Sequence, residues 1–472
     1  MTATISGIVL ENFRSFSSRT RVGLRPITLL YGQNSAGKSS VIKALLLLQQ
    51  SIATGKRDGS SFVFTGESVD LGSFQATVSG HDQSNELGVG IEITVSDPSA
   101  TTGQSAEISW FSNEGSRQTS MNAEIEVRGR TVKFERHPRR PRWLLSSDSV
   151  SSFLDLTFDG SSLFAQGNDM VENLKSNLGY LPEFLGDHFP SRLQWNLIPP
   201  STRTQWLNSN AFPNQQFGPE ADETRTIFDD NPLIRAWKDI SSEYWEPTRS
   251  QIKRLTHIGP LRQEPLRFDR YSPTSGTEVG SAGEDMLSLL YEKPSLVLKV
   301  NEYLAMMDLP YKVKIVSLGS PEAVGRVIYL ALVNRKTGLE LSPSDVGVGY
   351  SQVLPLITQS TVARDQLLCI EQPELHLHPA MQARLGDLFI SEATGGSRTR
   401  FLIETHSESL ILRLMRRIRE GSLRPEDVQV IYVDQDLNGA SSIHELPLNE
   451  NGDFEENWPS GFFDERLEEL GF

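Results

Sequence analysis

Hydrophobic spacing changes several times along this chain, and each change marks an element. Ile5, Ile8 and Leu10 have the alternation of a strand, and so does the run Ile27-Thr28-Leu29-Leu30-Tyr31. The second run ends on a glycine-bearing turn. A helix is predicted to follow through about Ile52, with leucines on most sides and therefore burial on most sides. Residues 61–135 are predicted to be β-rich. Leu87–Val95 and Ala123–Val127 alternate with period two, and Asp-Pro, Asn-Glu-Gly and Arg-Gly steps supply turns. Residues 144–250 have weak periodicity, most of the tryptophans, several prolines and many asparagines, which suggests an inserted, partly helical subdomain with long loops.

Order returns near Leu255. Helices are expected over Asp285–Tyr291 and Leu296–Met307, and strands over Tyr311–Ser317 and Arg326–Asn334. An apolar helix, a fully apolar strand ending at Glu371, and a helix with Met381, Leu385, Leu388 and Phe389 on one face come next. After a strand ending at Glu404, Thr405-x-x-Glu408 reads as a capping box. The helix it opens turns Leu410, Ile411, Leu414, Met415 and Ile418 inward and stops at Gly421. Val428–Val433 is expected to complete the sheet. There is no internal repeat and no sustained heptad pattern, so a long coiled-coil arm is not expected.

With 472 residues the chain can hold two or three domains, or one core with large insertions, and 38% hydrophobic with 22% charged residues is a globular balance. No apolar run approaches the roughly 20 residues that span a bilayer. The longest, Val41–Leu48, is interrupted by Lys43, and the N-terminus lacks a signal-peptide pattern. The single cysteine, Cys369, allows no intrachain disulfide and suits a core thiol, so a cytoplasmic location without membrane contact is expected. A net charge of −15 argues against a general nucleic-acid coat. Two basic clusters keep DNA open as a partner. One is Arg136, Arg139, Arg140 and Arg142 beside Trp143, the alternative being a solvated loop. The other is Arg413, Arg416, Arg417 and Arg419, the alternative being cations that complement a helix C-terminus.

Gly32-Gln33-Asn34-Ser35-Ala36-Gly37-Lys38-Ser39 matches the phosphate-binding loop in full, between an apolar strand and a helix. Its N–H groups, from Asn34 through Ser40, would surround phosphate oxygens, Lys38 would reach the β- and γ-phosphates, and Ser39 would ligate Mg²⁺. Glu371, at a strand end, suits a second Mg²⁺ contact, direct or through water. His376 and His378 invite a zinc reading, but i, i+2 spacing without nearby cysteines supports it poorly. His406 at a strand-to-helix turn is placed to contact a γ-phosphate. Gly347 and Gly349, with Ser351 at a helix start, form another candidate cradle, the alternative being an ordinary turn. One chain cannot readily put two cradles on one phosphate, so a nucleotide sandwiched between two copies is expected.

Those residues together resemble the ABC-type ATPase heads of the SMC, RecF and OLD-like group. Among these the stand-alone bacterial AAA-type ATPases with a C-terminal domain of unknown function are most similar. Val9-Leu10-Glu11-Asn12-Phe13-Arg14-Ser15-Phe16 resembles the group's first strand and turn, with Arg14 near the nucleotide. Gly32–Ser39 resembles its Walker A, Asp345–Gln352 its variant signature, Glu371–Pro379 its Walker B and D-loop, and His406 its switch histidine. Trp458–Glu465 resembles its ending, and Gln75 is a candidate for its Q-loop. The resemblance covers residues 1–75 and 255–472 well and 96–250 poorly.

It implies an α/β ABC-ATPase head: a mainly parallel sheet with flanking helices, an antiparallel β subdomain and an inserted, partly helical subdomain. The expected boundaries are 1–143, 144–254 and 255–472. It also implies ATP and Mg²⁺ as ligands. Glu371 replaces the group's usual aspartate, and Gln372 stands at the position of its catalytic glutamate. An amide orients water but cannot accept its proton, so slow hydrolysis is expected unless Glu374 takes that role. No acidic motif run of a TOPRIM nuclease follows His406, so a nuclease or toxin effector is expected to be a separate protein. The resemblance points to a dimerising switch in anti-phage defence. Alternatives are a DNA-dependent ATPase in recombination or repair, and a scaffold that sequesters an effector with little hydrolysis.

Overall fold

The computed structural model describes residues 2–54, 62–96, 104–115, 118–127, 130–136, 143–145, 244–264, 266–274, 276–318 and 325–456. The insertion expected over 144–254 therefore lies outside the described residues, apart from 144–145 and 244–254, as do Arg139, Arg140, Arg142 and Trp458–Glu465. The chain divides into two compact units. One comprises residues 1–22 and 43–253, the other 23–42 and 254–472.

The first unit is built on a seven-stranded sheet of β1 (Thr2–Glu11), β2 (Thr20–Gly23), β4 (Leu87–Ser96), β5 (Gln104–Gly115), β6 (Gln118–Val127), β7 (Arg130–Arg136) and β8 (Trp143–Leu145). Its order is β2-β1-β4-β5-β6-β7-β8, with antiparallel pairing from β1 through β8. Alternation buries Val89, Ile91 and Ile93, and buried Trp110 packs 5.8 Å from Trp245. Arg19 and Arg21 pair with Glu107 and Glu92 toward solvent. The β-rich expectation fails over 62–81: those residues make turns and the short helix α2 (Phe74–Thr77), capped by Ser73, because their apolar residues are scattered rather than alternating.

The second unit holds a six-stranded sheet ordered β17-β16-β3-β15-β14-β9. Its strands are β3 (Ile27–Gly32), β9 (Thr256–Ile258), β14 (Leu367–Glu371), β15 (Arg400–Glu404), β16 (Val428–Gln435) and β17 (Ser441–Glu445). All pairings are parallel except β16 with β17. β3 and β14 are buried along their whole length, which is why they read as continuous apolar runs. Val428–Val433 does not close the sheet as expected. β16 is second from the edge, and β17 forms the edge. The polar sequence Ser441-Ser442-Ile443-His444-Glu445 gave no apolar signal.

A smaller sheet pairs β12 (Val327–Asn334) with β10 (Asp269–Arg270), β11 (Tyr311–Leu318) and β13 (Glu340–Leu341). Helix α1 (Lys38–Thr54) leaves the phosphate loop, and α3 (Glu246–Lys253) belongs to the first unit. The remaining helices are α4 (Met286–Glu292), α5 (Pro294–Met306), α6 (Gly349–Val362), α7 (Pro379–Thr394) and α8 (Glu408–Arg419). Leu29, Ile370, Ile403 and Val430 from the sheet share one core with Leu354, Ile357, Leu385, Phe389, Leu410 and Leu414 from α6, α7 and α8. The capping box at Thr405 is not formed. Ser407 caps α8 by accepting a bond from Leu410 N–H at 3.1 Å, while the Thr405 hydroxyl accepts from Ser407 N–H at 3.0 Å and donates to Glu374. Among the described residues no helix is long and apolar enough to cross a membrane.

Candidate functional site

The parallel strands of the second unit deliver their carboxyl ends to one rim, where open α/β sheets bind ligands. β3 ends at Gly32, β14 at Glu371 and β15 at Glu404, with Glu371 and Glu404 in direct register. Gly32 has φ +138°, and a Cβ there would sit 2.1 Å from the carbonyl oxygen of Val433 on β16. Glycine is required by that contact. Ser35 (φ +66°) and Gly37 (φ +107°) also lie in the left-handed region, so the backbone curls between Gly32 and α1. From β17, the buried Ser441 hydroxyl donates to the Ala36 carbonyl at 2.6 Å and braces this curl. Gln33, Asn34 and Ser35 are exposed, while Ala36, Lys38 and Ser40 are buried.

The Lys38 ammonium donates to the carbonyls of Gly32 (2.9 Å) and Gln33 (2.7 Å). Three donors less two leaves one for an anion. Burial lowers the Lys38 pKa, against the pull of Glu404 and Glu374. Burial and the nearby Lys38 charge hold the His406 imidazole below its ordinary range. Both shifts favour the neutral forms of these two groups.

Glu371 is buried, and its Oε1 lies 2.8 Å from His257 Nε2 on the neighbouring strand β9. Its Oε2 receives no hydrogen bond among the described residues. Gln372 is left-handed (φ +44°), and its N–H donates to the Glu404 carbonyl at 2.7 Å. Arg262 donates to the Glu371 carbonyl at 2.9 Å and to that of Gln372 at 3.4 Å. Burial lowers the Arg262 pKa to about 10, against the attraction of Glu374 and Glu371.

Both carboxylate oxygens of Glu374 are engaged. Oε2 accepts from the Thr405 hydroxyl at 2.7 Å, and Oε1 from the His406 N–H at 2.6 Å. Burial raises its pKa despite these bonds. Gln382 on α7 adds a second tie: its Nε2 donates to Leu377 O (2.9 Å), and its Oε1 accepts from the Ser407 hydroxyl (2.7 Å). The turn carrying Glu374 is thus fastened to the turn carrying His406. His378 caps α7, its Nδ1 accepting from Ala380 N–H at 3.2 Å. Among the described residues no three His, Cys, Asp or Glu side chains gather around a metal-sized space.

Gly347 and Gly349 open α6, Ser351 donates to the Val348 carbonyl at 2.6 Å, and Asp345 is held by Arg267 through bonds of 3.0 and 2.5 Å. Among the described residues no hydrogen bond joins this turn to residues 32–39. Arg14 and Gln75 belong to the first unit. Arg14 (φ +54°) donates its N–H to Thr77 O at 2.7 Å, and Gln75 O is 2.8 Å from His81 Nδ1. Sequence patterns did not single out His257, Arg262 or Ser441. The Gly-Pro-Leu-Arg step at 259–262 was visible, but nothing in it indicates a target.

Three family models match the chain. Residues 4–94 match "AAA ATPase domain", and residues 183–413 match "AAA domain, putative AbiEii toxin, Type IV TA system". Residues 423–471 match the DUF3696 family, a protein of unknown function. Residues 4–94 and 183–413 are thus each similar to AAA-type ATPase domains. No curated protein matches the chain in sequence. Solved structures similar to this chain include the SMC head domain from Thermotoga maritima, at 11% identity over 94% of this chain and 99% of that one, TM-score 0.36. Another is the Smc head domain with an extended coiled coil bound to the C-terminal domain of ScpA, derived from Pyrococcus furiosus. It is 11% identical over 99% of each chain, TM-score 0.41. A third is the Smc head domain with a coiled coil and joint derived from Pyrococcus yayanosii, 10% identical over all of both chains, TM-score 0.41.

Proposed function

We propose that this ATPase is a slowly hydrolysing, dimerising switch. ATP binds at Gly32–Ser40. Ser39 and Glu371 hold Mg²⁺, His406 faces the γ-phosphate, and a second copy contributes Gly347, Gly349 and Ser351. Bound Mg²⁺–ATP supplies the phosphoanhydride and offsets charge on the transferring group. Lys38 offers its remaining N–H to phosphate, and Glu371, steadied on one oxygen by His257, keeps the other for the metal shell. Gln372 orients water but takes no proton from it.

The observation that carries the slow-switch reading is the state of the acids after β14. Residue 372 is an amide, and both oxygens of Glu374 are bound to Thr405 and His406. A dimer is supported by a signature turn that makes no bond to its own phosphate loop. A separate effector nuclease or toxin in a defence setting is supported by the AbiEii-type description of the matched domain. The arginines of α8 support DNA binding less, since Arg413 and Arg417 pair with Asp387, Arg416 with Glu420, and Arg419 with Asp453.

Light scattering after size exclusion, with and without a non-hydrolysable ATP analogue, tests the switch; a strict monomer at high concentration with nucleotide would refute it. The second reading, an active hydrolase, is favoured by one observation: burial raises the pKa of Glu374, as suits a base. Gln372→Glu discriminates. A large gain in turnover supports the slow switch, whereas a fast wild-type enzyme indifferent to this change supports the hydrolase.

A further inference from the structure

A buried guanidinium stands under the Walker B turn without being part of any motif read from the sequence. Arg262 is only 6% exposed, while its neighbour Leu261 is 80% exposed, so the chain turns sharply inward at this residue. The inward turn is clamped on both sides: Gly259 N–H donates to Ser281 O and Gln263 N–H to Ala282 O, each at 2.8 Å. The guanidinium reaches the consecutive carbonyls of Glu371 (2.9 Å) and Gln372 (3.4 Å), while its Nε–H has no partner among the described residues.

For stability alone this is a poor arrangement. A buried cation carries a large desolvation cost, and an apolar side chain of similar volume commonly serves stability as well or better. Incomplete satisfaction of the fork calls for a reason beyond packing. The geometry supplies one. Gln372 occupies the left-handed region, which is unfavourable for a residue with a side chain. Its N–H is pinned by Glu404 O on one side and its C=O is drawn to Arg262 on the other. The orientation of this peptide sets where the Glu371 carboxylate and the Gln372 amide point. A planar fork holds two successive carbonyls in fixed directions, whereas an ammonium, which can also reach two as Lys38 does with Gly32 and Gln33, imposes no such plane.

We infer that Arg262 is a positioning residue for ATP hydrolysis, fixing the Glu371–Gln372 backbone so that the strand-end carboxylate and the amide face the bound nucleotide. The inference rests on the ATP-site reading above. It assigns Arg262 no contact with substrate.

The test uses the full chain as wild type, Arg262→Ala, Arg262→Lys and Leu261→Ala, the last changing the exposed neighbour alone. Three quantities are measured: affinity for a fluorescent ATP analogue with Mg²⁺, single-turnover hydrolysis of labelled ATP followed for hours, and melting temperature. Arg262→Ala is expected to slow turnover about 10–100-fold while analogue affinity stays within about three-fold of wild type. Arg262→Lys is expected to recover part of the rate, and Leu261→Ala to match wild type. If Arg262→Ala fails to fold, Arg262→Lys carries the test through a slowed rate at unchanged affinity. Wild-type turnover in the Ala or Lys variant would overturn the inference. So would affinity and rate falling together, the mark of a direct ligand or a collapsed site. A wild type that binds the analogue but never hydrolyses ATP would overturn this inference alone. A wild type that binds no nucleotide would overturn the ATP-site reading and this inference with it.

Discussion

Glu374→Gln separates a latch from a base. The wild-type carboxylate accepts two short bonds, from the Thr405 hydroxyl at 2.7 Å and the His406 N–H at 2.6 Å. Glutamine keeps the shape but has one acceptor oxygen, so one of those donors loses its partner. A hydrogen bond to a charged group contributes about 1.5–3 kcal/mol, and relief from burying a carboxylate offsets part of that, so a net cost of about 2 kcal/mol is expected. For a unit of this size that corresponds to a melting temperature lower by about 4–8 °C. Because the broken bond fastens the Glu374 turn to the His406 turn, hydrolysis should fall only modestly, by about ten-fold or less, equivalent to about 1.4 kcal/mol. The assay is a thermal melt together with steady-state phosphate release. If Glu374 were instead the base, its loss would remove about 10²–10⁴-fold of the rate with little change in melting temperature. That pattern would refute the latch and move the chain to the active-hydrolase reading.

Three further outcomes are expected. Lys38→Ala should weaken binding of a fluorescent ATP analogue by about 100-fold or more while the protein stays folded by circular dichroism, since the lost charge–phosphate contact amounts to about 3 kcal/mol. Gly32→Ala should destabilise the fold by about 4 kcal/mol or more, read as loss of soluble protein or a collapsed melting temperature, because its Cβ would lie 2.1 Å from a backbone oxygen at a φ reserved for glycine. The His406 pKa is lowered in the folded chain, so folding favours the neutral ring. The stability it contributes is present above the unfolded value of about 6.5 and is lost as pH falls through the folded value. The melting temperature of wild type should therefore drop further than that of His406→Gln as pH is lowered from 7.5 toward the folded value. Parallel curves would remove His406 from the buried, lysine-facing position.

How much was legible depended on how local the physics is. The strand–turn–helix at 27–54 could be read because a strand, glycines at left-handed positions and a helix start are all encoded within a dozen residues. The helices α7 and α8 could be read because their buried residues recur at helical spacing. The strand ending at Glu371 could be read because both its faces are buried. The cap of α8 was misplaced by two residues: Thr405 and Ser407 are both good cap residues, and where the helix starts, at Glu408, decides which hydroxyl meets its first N–H groups. β17 was missed because an edge strand with one polar face resembles a loop. Arg262, His257 and Ser441 escaped notice for a different reason. Arg262 and Ser441 bond to backbone carbonyls, which every residue has, and His257 meets a carboxylate 114 positions away.

The sequence by itself determined the chemistry of the proposed nucleotide site: a loop of N–H groups with a lysine, a strand-end carboxylate followed by an amide instead of an acid, and a histidine at the next turn. These follow from residue identity and spacing, since each is a property of one strand and the turn after it. The tertiary structure decided which strands lie side by side, and hence that Glu371 meets His257, that Arg262 lies under the Gln372 peptide, and that Glu374 is tied to Thr405 and His406. Strand order is set by burial of the whole core, and no local pattern of side chains encodes it.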